Sequence, residues 1–221
     1  MKVAIAGAGA VGRSIASELV EVGHQVMLIE RYPGQFEPES VEGADWFLGD
    51  ACEMSTLEES GIQLCDIVIA ATGDDKVNLV VSLLAKTEFA VRRVVARVND
   101  PSNEWLFNDS WGVDVAVSTP RMIAAMVEEA VSVGDLVRLM TFQQGQANLV
   151  ELTLPADTPL AGRPVSALPL PKESVLVTIL RGARVIVPQP DDPLEAGDEL
   201  LFVTHAEVEP ELRAALGHAA H

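Results

Sequence analysis

Up to about residue 119 the chain alternates short apolar runs with longer stretches whose apolar residues recur every three or four positions. Lys2–Ala6, Gln25–Glu30, Asp45–Asp50, Asp66–Ala71, Arg93–Val98 and Val113–Val117 read as strands. The run Asp66–Ala71 is apolar enough to be buried on both faces, as a central parallel strand requires. Between these runs, Val11–Val22, Met54–Glu59, Asp74–Thr87 and Pro101–Asn108 read as helices. Val11, Ile15, Leu19 and Val22 share one helical face, and Gly23 ends it. This alternation predicts right-handed crossovers and an α/β fold with a Rossmann-type, doubly wound parallel sheet. A last helical pattern, Pro120–Met140, carries Ile123, Met126, Val127, Ala130 and Val131 and reads as one long helix leading out of the domain.

Beyond residue 148 the rhythm changes. Leu149–Leu154 alternates like a half-buried strand, and prolines at 155, 159, 164, 169, 171, 188, 190 and 193 separate short strands at Val175–Leu180 and Glu199–Val203. With a terminal helix over Val208–Leu216, this describes a small α+β module of about 70 residues. The polar stretch Gln143-Gln144-Gly145-Gln146 marks the join, so the expected domains are 1–140 and 141–221.

Composition narrows the function classes. The formal charge is −18, from 33 acidic and 15 basic residues, which repels a phosphate backbone and argues against nucleic acid as a partner. A small nucleotide held by backbone amides and a few local arginines is still compatible with that charge. No apolar run reaches the roughly 20 residues of a membrane-spanning helix. Met1–Gly7 reads as a first strand rather than a secretory signal. Two cysteines, Cys52 and Cys65, form neither a disulfide framework nor a metal-ligand spacing and read as cytosolic thiols.

The loop Gly7-Ala8-Gly9-Ala10-Val11-Gly12 follows the first strand and opens the first helix, the context that gives a G-x-G-x-x-G pattern its meaning. Gly7 permits the tight turn, Gly9 lets a pyrophosphate approach the backbone, and Gly12 lets the helix pack against the sheet. The helix start offers free amides and a partial positive charge. Eighteen residues after Gly12, at the end of the second strand, Glu30 is placed to accept both ribose hydroxyls and to repel a 2′-phosphate. Arg31 beside it could tolerate extra phosphate or stack on adenine.

Two further strand ends border the same crevice. Gly49-Asp50-Ala51 could reach the adenine amino group through Asp50, and Thr72-Gly73 could reach ribose or phosphate. Asp50, Thr72 and Asp74 would equally well cap helices. Arg97, a basic residue near the end of the fifth strand, could pair with Asp75, a ligand phosphate or a neighbouring subunit. Catalytic equipment is sparse. Tyr32 has no lysine four residues on, His24 falls at the wrong end of the sheet, and His205, His218 and His221 lie in the small module or its tail. A dehydrogenase needs an acid or base beside its nicotinamide, so the nucleotide reads as a signal and the chain as no enzyme.

Four segments carry a family resemblance. Val3–Gly12, Ala71-Thr72-Gly73-Asp74-Asp75-Lys76-Val77-Asn78-Leu79 and Val95–Pro101 resemble the cytoplasmic regulatory subunits of Trk/Ktr-type bacterial potassium transporters. Pro188–Phe202, with Leu194-Glu195-Ala196-Gly197-Asp198-Glu199-Leu200, is similar to that family's C-terminal module. The resemblance implies a homodimer that assembles into a tetramer or larger ring, alone or with a paralogous subunit, on the inner face of the membrane. There the nucleotide state, NAD(H) or ADP/ATP, would gate a potassium-translocating subunit. It carries nucleotide contacts onto Gly7–Val11, Glu30, Asp50, Thr72-Gly73 and Arg97. Ala10 stands where ATP-sensing relatives carry a basic residue, which favours NAD(H) or ADP. The competing readings are a small NAD-dependent oxidoreductase, a regulator of a cation/proton antiporter and a redox-sensing repressor; the charge disfavours the repressor.

Overall fold

The computed structural model describes residues 1–142 and 146–220, with the side chains of 129, 130 and 217–220 excepted. Gln143, Gln144 and Gly145 of the expected join therefore lie outside the described residues, as do His221 and the side chains of Ala130 and His218. The chain divides into two compact units between Pro120 and Arg121.

The first unit holds β1 (Lys2–Ala6), α1 (Ala10–Glu21), β2 (Gln25–Glu30), β3 (Asp45–Leu48), α2 (Met54–Glu59), β4 (Ile67–Ala70), α3 (Asp75–Thr87), β5 (Arg93–Val98) and β6 (Val115–Ser118). Its six strands lie in the order β3-β2-β1-β4-β5-β6, with every pairing parallel. Alternation along the strands builds two cores. Val3, Ile5, Val26 and Leu28 pack with Ala16 of α1. On the other face Ala4, Ala6, Val68, Ala70, Val94 and Val98 pack with Leu79, Val81 and Ala85 of α3. Each fully buried leucine or isoleucine there contributes on the order of 1.5–3 kcal/mol. The expected helix at 101–108 winds as 3-10 turns, Pro101–Leu106 and Asp109–Trp111, whose starts are capped by Asp100 and Asn108.

The long helix expected over 120–140 is corrected. α4 runs Thr119–Val131, Gly134 turns the backbone at φ +92°, and Leu136–Phe142 forms a strand, β7. Leu136 and Val137 are buried there, and β7 pairs antiparallel with β8 (Ala147–Thr153). The second sheet thus starts earlier than the expected boundary at 141. It is completed by β9 (Ser174–Arg181), β10 (Arg184–Ile186) and β11 (Glu199–His205), in the order β10-β9-β11-β8-β7, and α5 (Glu209–Ala220) follows. Leu152, Ile179, Leu200 and Phe202 form its interior with Leu212 and Leu216 of α5.

Two buried carboxylates tie this unit together. Asp198, fully buried, accepts from Arg181 at both oxygens, at 2.7 and 2.8 Å. Glu209 receives Arg138 Nε and Asn148 Nδ2, each at 2.7 Å, and Arg213 at 3.2 Å. Burial would push the Glu209 carboxyl up, but these donors outweigh it and hold the group below its ordinary value.

Candidate functional site

In a doubly wound sheet the ligand crevice opens beyond the carboxyl ends of the strands, where the strand order reverses. Here that point lies between β1 and β4, which carry Gly7–Gly12 and Thr72-Gly73 at their ends. The glycine loop has three different reasons for its glycines. Gly7 has φ +100°, and a Cβ there would stand 3.0 Å from the Cα, N and Cγ2 of Thr72. At Gly12 a Cβ would fall 1.9 Å from the Gly7 carbonyl oxygen, so the helix can start this close to the sheet only without a side chain. Gly9, with φ −66°, meets nothing within 4 Å. No part of the described chain requires a glycine at 9, and the open space beside it fits a group that arrives from outside.

α1 also begins without a cap. Its N-cap residue is Gly9, no side chain among the described residues caps its first amides, and its first turn holds no acidic residue. The amides of a helix's first turn have no partner inside the helix. They are therefore left for a group from outside, with the positive end of the helix dipole behind them. α3, by contrast, is capped by Asp74, whose side chain accepts from the Lys76 amide at 2.8 Å.

Glu30 is buried, with Oε2 accepting from the Ala8 amide at 2.9 Å and Oε1 from the Tyr32 amide at 2.8 Å. One carboxylate thus fixes the end of β2 against the glycine loop, and each oxygen keeps a further lone pair. Asp50 accepts from the Cys52 amide at 2.9 Å and lies 3.2 Å from the Arg31 guanidinium, which stands over the Tyr32 ring. Burial, and after it the neighbouring Asp50, raises the Cys52 thiol to about 11, so it stays protonated near neutrality. Ala8 and Ala51 are buried in the core, whereas Ala10 is exposed beside Gly9.

The strand ends on the other side of the crevice are knit by Asn78, which sequence reading did not single out, and by Asp75, which it weighed only as a partner of Arg97. Asn78, fully buried, accepts from the Thr72 amide and hydroxyl and donates to the Thr72 and Arg97 carbonyls. Asp75 accepts from Asn99, the Asp100 amide and Asn103, at 2.7 to 3.0 Å. Burial alone would raise its carboxyl, but these donors hold it below its ordinary value. Arg97 does not pair with Asp75, and its Nε is shielded from water with no hydrogen-bond partner among the described residues. The visible signal was the spacing Asp75-x-x-Asn78 within a segment already quoted for its resemblance.

His24 lies at the opposite, amino end of the sheet, beside a cavity of about 440 Å³ that Lys2, Asp45 and Cys65 also line. His205 is in β11 of the second unit. Among the described residues no cluster of His, Cys, Asp and Glu could hold a metal ion, and no helix is long and apolar enough to cross a membrane.

A 3-2-1-4-5-6 parallel sheet with an uncapped, glycine-bounded helix start and a carboxylate at the end of β2 is a Rossmann-type domain of the nucleotide-binding class. The TrkA-N domain family matches residues 3–119, and the TrkA-C domain family matches 149–217. The chain belongs to the TrkA family. It is 67% identical over 216 residues to the Trk system potassium uptake protein TrkA of Mycobacterium tuberculosis, covering 98% of each chain. Its fold is shared with the GsuK channel bound to NAD, with a TM-score of 0.69 and 18% identity; this chain is covered in full and spans 39% of that one. GsuK bound to ADP matches over 58% of this chain and 33% of its own, with a TM-score of 0.51 and 26% identity.

Proposed function

We infer that this protein is a nucleotide-sensing regulatory subunit that gates a membrane potassium uptake system. The observation that carries the reading is the near-full-length identity to a potassium uptake protein, joined to a crevice whose unused amides suit phosphate. NAD(H) or ADP is the ligand class: the α1 amides beside Gly9 and Ala10 would take the phosphates, and Glu30 the ribose hydroxyls. Asp50, Thr72-Gly73 and Arg97 would complete the contacts. The orphaned Arg97 Nε supports a role for that side chain in meeting an acceptor from outside the described chain.

Chemistry on the nucleotide is disfavoured. His24 stands at the amino end of the first sheet, His205 belongs to β11 of the second unit, and the Cys52 thiol is held protonated. Binding energy is then available to shift a conformational equilibrium rather than a reaction barrier. Assembly has its own support. Met122, Ile123, Met126 and Val127 form a stripe on α4 and are each between 47% and 59% exposed, an apolar row suited to a second copy. The charge of −18 complements the Lys/Arg excess usual on cytoplasmic loops of membrane proteins, which favours docking on a membrane subunit from the inner face.

Deleting the gene should abolish potassium uptake through this system, and the intact chain but not Gly9→Asp should restore it. Normal uptake in the deletion strain would overturn the assignment. Calorimetry with NADH, NAD, ATP and ADP, read beside particle size, identifies the ligand and its effect on assembly.

A further inference from the structure

Glu30 and Arg31 are neighbours at the end of β2 with opposite consequences for the ribose. A carboxylate there favours a free 2′-hydroxyl, whereas a guanidinium would neutralise a 2′-phosphate through paired, charge-assisted hydrogen bonds. Their order in the chain does not decide between them. The geometry does. Glu30 is buried and held by two backbone amides, whereas Arg31 is drawn to Asp50 at 3.2 Å and lies over Tyr32, 5.6 Å from the ring centroid. Asp50 is itself fixed by the Cys52 amide at 2.9 Å. We propose that Asp50 is a specificity-determining residue that acts through Arg31: by partnering the guanidinium it leaves a 2′-phosphate to face the Glu30 carboxylate alone. The site then takes adenine nucleotides with a free 2′-hydroxyl and rejects their 2′-phosphorylated forms. This role differs from an adenine contact by Asp50, which would weaken both kinds of ligand alike. It rests on the nucleotide reading above.

The test is calorimetric titration of the full chain with two pairs, NADH against NADPH and AMP against adenosine 2′,5′-bisphosphate. The wild type should prefer the free 2′-hydroxyl by about 100-fold, the scale on which a binding site discriminates without editing. Asp50→Asn should narrow that ratio by about tenfold, the worth of one charge-assisted contact, whatever it does to absolute affinity. Adding Arg31→Ala to Asp50→Asn should widen the ratio again, which a merely structural role for Asp50 does not predict. A wild type that binds none of the four ligands overturns the nucleotide reading and the proposal with it. A wild type that binds, with the same ratio in Asp50→Asn, overturns the proposal alone.

Discussion

Both units bury a carboxylate among hydrogen-bond donors, and they do so to different ends. In the first, Asp75 gathers Asn99, Asp100 and Asn103 at the carboxyl end of the parallel sheet, where α1 also starts with amides that no described side chain caps. In the second, Glu209 joins the start of α5 to Arg138 of β7 and Asn148 of β8. A buried charge is therefore a poor marker of a binding site in this molecule, because one serves a crevice and the other serves packing. The better marker is a strong donor left without a partner where space has been kept open. α1 behind Gly9 meets that description.

The contrast can be broken from either side. Gly12→Ala should have the largest effect. Its Cβ would fall on the Gly7 carbonyl, and the first unit should lose about 4 kcal/mol or more as helix and loop separate. Calorimetric melting should show that loss while the second unit's transition holds. Glu209→Gln should come next, costing the second unit about 3 kcal/mol by leaving Arg138 and Asn148 without their anion. The same carboxylate sets a pH dependence. Because its folded pKa lies below the ordinary 4.5, its stabilisation is complete above that value and is lost as pH falls through the folded pKa. Melting temperature measured from pH 6 to pH 3 should fall less steeply for the second unit of Glu209→Gln than for the wild type. An equal slope would show that Glu209 is not the titrating group.

Gly9→Ala is the mildest change and separates structure from ligand most sharply. The backbone there suits alanine and its Cβ meets nothing, so melting should move by less than about 0.5 kcal/mol. Nucleotide affinity should nevertheless drop by about tenfold, about 1.4 kcal/mol, as the methyl enters the phosphate's space. If affinity also stays constant, the open side of Gly9 is not where the ligand lies.

What could be read from the chain followed locality. β1, β2, α2 and β5 have the limits that their apolar patterns predict, since each pattern lies wholly within the element. The placement of the glycine loop between β1 and α1, and of Glu30 at the end of β2, is legible for the same reason: strand, turn and helix are adjacent in sequence. The helical pattern past residue 120 overruns the helix because Ile123, Met126, Val127 and Val131 set a rhythm that Leu136 and Val137 continue, while Gly134 breaks the backbone between them. β10 went unseen because it has three residues, two of them exposed. The Asp75 and Asn78 networks join side chains and carbonyls up to 28 residues apart, and no local pattern encodes such pairings. Of the three partners open to Arg97, Asp75 is taken by the nearer donors from Asn99 to Asn103.

Glu30 holds the glycine loop on one oxygen and the Tyr32 amide on the other. Its rotamer freedom, worth up to about 1.5–2 kcal/mol for a glutamate, is surrendered when the chain folds rather than when a ligand arrives. On the proposed reading, a site set in advance needs no slow ordering step before capture. Its occupancy can then follow a rise or fall in ligand concentration with little lag, which is the temporal property that a gauge needs and a storage protein does not.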